Sequence, residues 1–191
     1  LYIMLALVLF FVIGCCGAVL LGRLSDIVDY LLYVDKKTGL PNREKLNIYI
    51  GEMAGKVLPE AFTCFTLNLD NLSELTKRFG YTVGDGVLKD FAGLVQLMGD
   101  TEGMRGYNGV GRFVVFFEEC SSKKAAAMIR ILDNQVEEYN SLNPEYPIRY
   151  TAAWATTEET DTYEIRELLR LSQKKWKQME KEKKDKTEEE T

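Results

Sequence analysis

AFTCFTLNLDNLSELTKRFGYTVGDGVLKDF, residues 61–91, decides the fold. Its opening residues alternate. Phe65, Leu67 and Leu69 fall on one side, and Cys64, Thr66, Asn68 and Asp70 on the other. A period of two argues for a strand. Residues 71–79 then read as a short helix stopped by Gly80. Residues 85–98 read as a second helix, with Val87, Leu88, Phe91, Leu94, Val95 and Met98 at helical spacing. Downstream, residues 103–118 read as a hairpin. Asn108-Gly109 is a two-residue turn signal there, because both central positions of a type I′ turn need positive φ. Residues 112–117, RFVVFF, are the return strand.

Further out, residues 121–140 are helical, with Met128, Ile129, Leu132 and Val136 inward. Residues 147–156 read as a strand and 162 to about 182 as a final helix. The charged segment 182–191 is expected to be a disordered tail. Upstream, Thr38, Gly39, Pro41 and Asn42 mark a turn, and Arg43 to Ala54 a helix with Leu46, Ile50 and Met53 on one face. The pattern implies an α/β (α+β) sandwich with a central, mainly antiparallel sheet flanked by helices. A Rossmann glycine fingerprint is absent.

The chain has 191 residues and opens with Leu1, so it reads as the C-terminal piece of a longer protein. Residues 1–22 carry no charge. About twenty apolar residues at 1.5 Å rise cross a hydrocarbon core of roughly 30 Å, which makes this segment a transmembrane helix. A cleaved signal peptide would need a basic n-region and a small-residue cleavage site, and neither is evident. Arg23, Lys36, Lys37 and Arg43 follow the span and place the soluble part on the cytoplasmic side of the cell membrane. Between them, residues 23–35 form a short helical linker. Leu24, Ile27, Leu31 and Val34 repeat like a parallel coiled-coil seam, or else pack on their own domain. The former reading implies a homodimer or another signalling protein as partner.

A net charge of −5 argues against nucleic acid as a partner. Histidine is absent, which removes Ser-His-Asp and Cys-His catalysis and histidine metal ligands. The four cysteines have no zinc spacing; Cys15 and Cys16 lie in the span, and Cys64 and Cys120 read as packing positions. Chemistry must therefore rest on carboxylates, lysines and backbone groups.

Two motifs carry a family resemblance over roughly residues 35–180. Asp35-x-x-Thr38-Gly39-Leu40-Pro41-Asn42-Arg43 resembles the opening signature of GGDEF domains, and Gly80-Tyr81-x-x-Gly84-Asp85-x-Val87-Leu88 resembles that family's Gly-Asp motif. The resemblance implies a palm-like fold similar to nucleotidyl cyclases. Active members are diguanylate cyclases. Two domains face each other, each holding GTP with Mg²⁺, and the 3′-hydroxyl of one GTP attacks the α-phosphate of the other. Such phosphoryl transfer needs a carboxylate-rich metal site.

Carried over position by position, the resemblance locates departures at that site. The first metal carboxylate of the family falls on Asn68, an amide that brings no charge. The family's Gly-Gly-Asp/Glu-Glu-Phe hairpin falls on Gly109-Val110-Gly111-Arg112-Phe113. The metal ligand and catalytic acid is thus Gly111, and the next acid is Arg112. A guanidinium there repels Mg²⁺ by several kcal/mol, even at an effective dielectric of about 20. Val110 puts a side chain where backbone meets nucleotide phosphates, and valine tolerates positive φ poorly. The guanine-contacting asparagine maps to Thr76 and its neighbour to Lys77, while Asp85, another guanine contact, is retained. The late phosphate-binding lysine has no secure counterpart, and Asp100 and Gly103 stand at the ends of the absent inhibitory Arg-x-x-Asp motif.

The expectation is a catalytically inactive module that signals, regulates or dimerises and binds a guanine nucleotide, with no cofactor. The alternative is an active diguanylate cyclase using Mg²⁺. Nucleotide-binding candidates are Asp85, Asp70, Thr76, Gly109 and Arg112. Asp85 is also read as a helix N-cap, and Asp70 as a cap or acceptor of backbone donors, against residual metal contact. Arg112 either binds a phosphate or pairs with Glu118 or Glu119. Gly106, Gly109 and Gly111 either cradle phosphate or merely turn the chain. Trp154 and Trp176 read as core or interface anchors rather than stacking platforms.

Overall fold

The computed structural model describes residues 2–99 and 103–189, and the chain divides into two units, Leu1–Val34 and Asp35–Thr191. The first unit is helix α1, Tyr2–Tyr33, which is unbroken and averages a mean hydropathy of 2.9 over its most apolar window. It is long and apolar enough to cross a membrane. The segments read separately as span and linker thus share one helix. Leu24, Ile27 and Leu31 are exposed on it, and Val34 lies just past its end, half-buried.

The second unit is built on β1 (Thr63–Leu69), β2 (Gly103–Gly109), β3 (Arg112–Phe117) and β4 (Tyr150–Thr156). They form one sheet in the order β2-β3-β1-β4, with every neighbouring pair antiparallel. The alternation of β1 sorts its side chains into two cores. Phe65, Leu67 and Leu69 join Phe113, Val115 and Phe117 under α3 (Leu72–Phe79), α4 (Tyr81–Gln96) and α5 (Ser122–Leu142). Cys64, Val114 and Phe116 lie under α2 (Arg43–Met53) and α7 (Ile165–Glu189), where Leu46, Ile165 and Leu168 cover them. Both faces are buried, so the alternation marks two different helical layers rather than inside and outside. Cys64 is fully buried, and that burial pushes its thiol up to about 12.

Three expectations change. The hairpin turn is Val110-Gly111, at φ 52° and 75°, not Asn108-Gly109; β2 continues through Gly109, with a register shift between Tyr107 and Gly109. An extra residue in β2 moves the two-residue loop past the Asn-Gly pair. Helix α4 begins at Tyr81, directly after Gly80, whose φ of 90° makes the elbow between α3 and α4. Finally, α7 continues through residues 182–189, expected as a tail without structure; residues 190–191 lie outside the described residues. The segment is rich in lysine and glutamate, which are good helix formers and pair one turn apart, as Gln178 does with Glu182. After β4, the short α6 (Thr157–Thr160) leads into the loop before α7.

Candidate functional site

The two signature motifs meet in space. Asp35 opens the second unit with an aspartate turn: its Oδ1 accepts from the Lys37 N–H at 3.1 Å, the Thr38 N–H at 2.9 Å and the Thr38 hydroxyl at 2.9 Å. Gly39 sits at φ 73°, and Asn42 caps α2 by accepting from the Lys45 N–H at 3.1 Å. Lys37 Nζ then reaches Asp85 Oδ1 at 2.8 Å, and this hydrogen bond raises the lysine above its usual range. Asp85 lies in the second turn of α4, so it is not an N-cap; Gly80 takes that position. Its carboxylate fastens the opening turn to α4.

The sheet end beside the hairpin carries a cleft of about 590 Å³. Asn68, Asp70, Thr76, Lys77, Val110, Arg112, Trp176 and Glu180 are among its walls. The strand register explains why: Asn68 pairs with Arg112 on β3 and with Thr151 on β4. Both oxygens of Asp70 have partners. Its Oδ1 accepts from Asn68 Nδ2 at 2.8 Å, its Oδ2 from the Thr151 hydroxyl at 2.6 Å, and Lys183 Nζ stands 3.5 Å from Oδ2. Lys183 also donates to the Tyr150 carbonyl at 3.0 Å and to Thr151 Oγ1 at 2.6 Å. Asp70 therefore ties β1 to β4 and α7. It does not cap α3, whose N-cap is Asn71.

Arg112 is exposed and makes no ion pair with any described residue. Glu118 and Glu119 follow the far end of β3, a strand's length away, so the pairing read from the sequence is ruled out by geometry. Gly111 is buried, with its carbonyl accepting from the Leu69 N–H at 2.8 Å. A Cβ there would lie 3.1 Å from the Leu69 carbonyl oxygen. Thr76 donates back to the Leu72 carbonyl at 2.8 Å and packs on Gly84. Gly109 lines a different hollow, between α2 and the hairpin, with Asp35, Asn42 and Tyr107. Thus Asn68, Asp70, Thr76 and Arg112 come together, while Asp85 and Gly109 stand outside the cleft. Asp100 lies outside the described residues.

The donor set fits Mg²⁺ poorly. The ion demands near-octahedral oxygen ligands and carboxylate charge. The cleft offers Asp70, already holding an amide, a hydroxyl and an ammonium, and Arg112, which is in register with Asn68. Among the described residues, no three His, Cys, Asp or Glu side chains converge to hold a metal.

Sequence reasoning missed Thr151, Lys183 and Glu180, and it read Trp176 only as an anchor. Trp176, Glu180 and Lys183 stand four and three residues apart on α7, a spacing that puts them on one helix face. That periodicity was the available signal; Lys183 alone was hidden, in the segment rich in lysine and glutamate that read as tail.

The family model described as diguanylate cyclase, GGDEF domain, matches residues 32–186. No curated protein matches the chain. Among solved structures, the chain is similar to a diguanylate cyclase/phosphodiesterase from Caldicellulosiruptor saccharolyticus, with a TM-score of 0.65 and 18% identity over 81% of this chain and 91% of that one. It is also similar to the coiled coil and GGDEF domain of DgcB from Caulobacter crescentus in complex with c-di-GMP. That match has a TM-score of 0.65 and 14% identity over 84% of this chain and 86% of that one. A third is the diguanylate cyclase SiaD in complex with its activator SiaC from Pseudomonas aeruginosa, with a TM-score of 0.58 and 15% identity over 85% of this chain and 66% of that one. At such identities the likeness is one of fold. With the family model matched across both signature motifs and the whole sheet, the chain belongs to the GGDEF domain family.

Proposed function

We propose that this chain is a membrane-anchored GGDEF domain that does not turn GTP into cyclic di-GMP and acts instead as a signalling module. It couples to a second copy or another signalling protein and binds a guanine nucleotide without converting it. One observation carries the reading: the retained carboxylate, Asp70, has both oxygens occupied by Asn68, Thr151 and Lys183, while Arg112 stands in register with Asn68. Metal-assisted phosphoryl transfer needs negative charge at the place where these residues supply positive charge.

Anchoring rests on the length and apolarity of α1, with Arg23, Lys36 and Lys37 following the span on the cytoplasmic side. Coupling rests on Leu24, Ile27 and Leu31, exposed at coiled-coil spacing. Similar folds in complex with c-di-GMP or with an activator protein lend support to a ligand or partner role.

The test is the full chain in lipid nanodiscs, incubated with GTP and Mg²⁺ or Mn²⁺ and read by mass spectrometry. No cyclic di-GMP is expected, and time-dependent product abolished by a chelator overturns the reading. Disulfide crosslinking of Leu31→Cys in membranes, with Cys15 and Cys16 replaced by Ser, tests coupling. A crosslinked dimer is expected, and a purely monomeric chain contradicts it.

A further inference from the structure

Helix α7 buries one side and charges the other. Ile165, Leu168 and Ser172 are buried, with Ser172 Oγ 2.8 Å from Thr66 Oγ1 on β1. On the opposite side stand Arg166, Arg170, Lys174, Lys177 and Lys181, all exposed. At 3.6 residues per turn these positions share an arc of about 80°, along roughly 22 Å of helix. Between residues 166 and 181 no acid and no apolar residue falls inside that arc; Glu167 and Glu180 border it. Among the described residues, Arg170 pairs with Glu167 at 2.5 Å, and the other four cations make no ion pair.

The stripe is costly where it stands. Like charges one turn apart destabilise a helix, and Arg166 with Arg170, Arg170 with Lys174, and Lys177 with Lys181 are such pairs. It also runs against the chain's net charge of −5. Cations gathered on one line of an acidic chain aim a positive field in one direction. A partner that relieves the repulsion is anionic. With no apolar side chain in the arc, the partner is met by charge, without insertion.

The other unit supplies that partner. Helix α1 is long and apolar enough to cross a membrane, and eleven residues stand between Arg23 and Asp35. With α1 in a bilayer, even a fully extended join keeps the start of the domain within roughly 40 Å of the surface. Acidic headgroups attract each Lys or Arg that comes within a Debye length, roughly 8 Å at physiological salt.

We propose that the outward face of α7 is a docking surface for anionic lipid headgroups, on which Arg166, Arg170, Lys174, Lys177 and Lys181 lay the domain against the membrane that α1 spans. This rests on the anchoring reading and goes beyond it, because an anchor alone leaves the domain free to turn.

The experiment uses the full chain in nanodiscs, with Cys15 and Cys16 replaced by Ser and Cys64 and Cys120 left buried. A fluorophore is placed through Gln178→Cys, exposed beside the stripe, or through Lys89→Cys, exposed on α4 across the sheet. Discs of phosphatidylcholine, with or without phosphatidylglycerol, carry a quencher on a lipid headgroup. In phosphatidylglycerol discs the Gln178→Cys label is expected to be quenched about twofold or more beyond its level in phosphatidylcholine, and high salt removes the difference. The Lys89→Cys label stays unquenched. Replacing the five cations by Gln, all at exposed positions, abolishes the difference with the melting temperature retained. Quenching that is equal in the two discs, indifferent to salt or retained in the five-site variant overturns the proposal. Equal quenching of both labels does so too, since it reports crowding rather than a docked face. A label shielded alike in both discs, more so with two chains per disc, assigns the stripe to a second copy and also overturns it. A chain that fails to stay with the discs ends the anchoring reading as well; one that stays, without lipid-dependent quenching, ends this proposal alone.

Discussion

Val110 holds a φ of 52° at the tip of the hairpin and is 78% exposed, so nothing packs on its side chain to offset the strain. A β-branched residue in the left-handed region is costly, by about 1–2 kcal/mol or more, whereas glycine there gives back roughly 0.5–1 kcal/mol through its looser unfolded chain. Val110→Gly is therefore expected to raise stability by about 1 kcal/mol, read as a shift in the chemical-denaturation midpoint; a loss of stability contradicts the turn assignment. Beside it, Gly111 leaves little room for any side chain. Its φ is 75°, and a Cβ would crowd the Leu69 carbonyl. Asn68, Gly111 and Arg112 were placed at the site through the family resemblance. The shape of the turn was not legible, because the bulge that moves the loop from Asn108-Gly109 to Val110-Gly111 depends on the register of β2 against β3.

At the level of elements, the motif glycines act through packing. A Cβ on Gly84 would lie 2.3 Å from Thr76 Oγ1, so the close approach of α3 and α4 depends on its absence. Gly84→Ala is expected to cost about 1–3 kcal/mol, with the change seen in denaturation midpoint. Wild-type stability would contradict the elbow geometry. The start of α5 is tied to α6 by Glu159, which accepts from the Ser122 hydroxyl and pairs with Lys175 Nζ at 3.3 Å. The Ser122 hydrogen bond, aided by Lys175 and opposed by burial, holds the Glu159 carboxyl below its usual range. A lowered folded value stabilises above the unfolded pKa, and that stabilisation is lost as pH falls through the folded value. Ser122→Ala is therefore expected to melt below wild type at neutral pH, with the gap closing as the pH falls below the usual carboxylate range. A gap that stays constant with pH contradicts this assignment. Strands and helices were readable because β1 alternates cleanly and α4 and α5 keep a 3.6 period. Asp85 misled as a cap because Gly80, a stronger break than the sequence suggested, lets α4 start four residues earlier. Residues 182–189 misled because charge density resembles disorder, while Lys183 is held by Asp70, Tyr150 and Thr151 from distant strands.

The molecule as a whole combines a helix long and apolar enough to cross a membrane with a GGDEF domain whose two signature turns are tied together by Lys37 and Asp85. Asp35 and Asp85 are spent on the turn that opens the domain, and Asp70 on fastening α7 across the sheet end. If Asp70 is structural, its removal lowers stability but leaves metal affinity alone; if it is a ligand, affinity falls with it. The decisive measurement is binding of the Mn²⁺–GTP complex to the full chain and to Asp70→Ala, at a temperature where both are folded. The account predicts the same metal dependence for both, with no added affinity from Mn²⁺ over GTP in EDTA. Tight Mn²⁺-dependent binding by the wild type, lost about tenfold or more in Asp70→Ala, would contradict it.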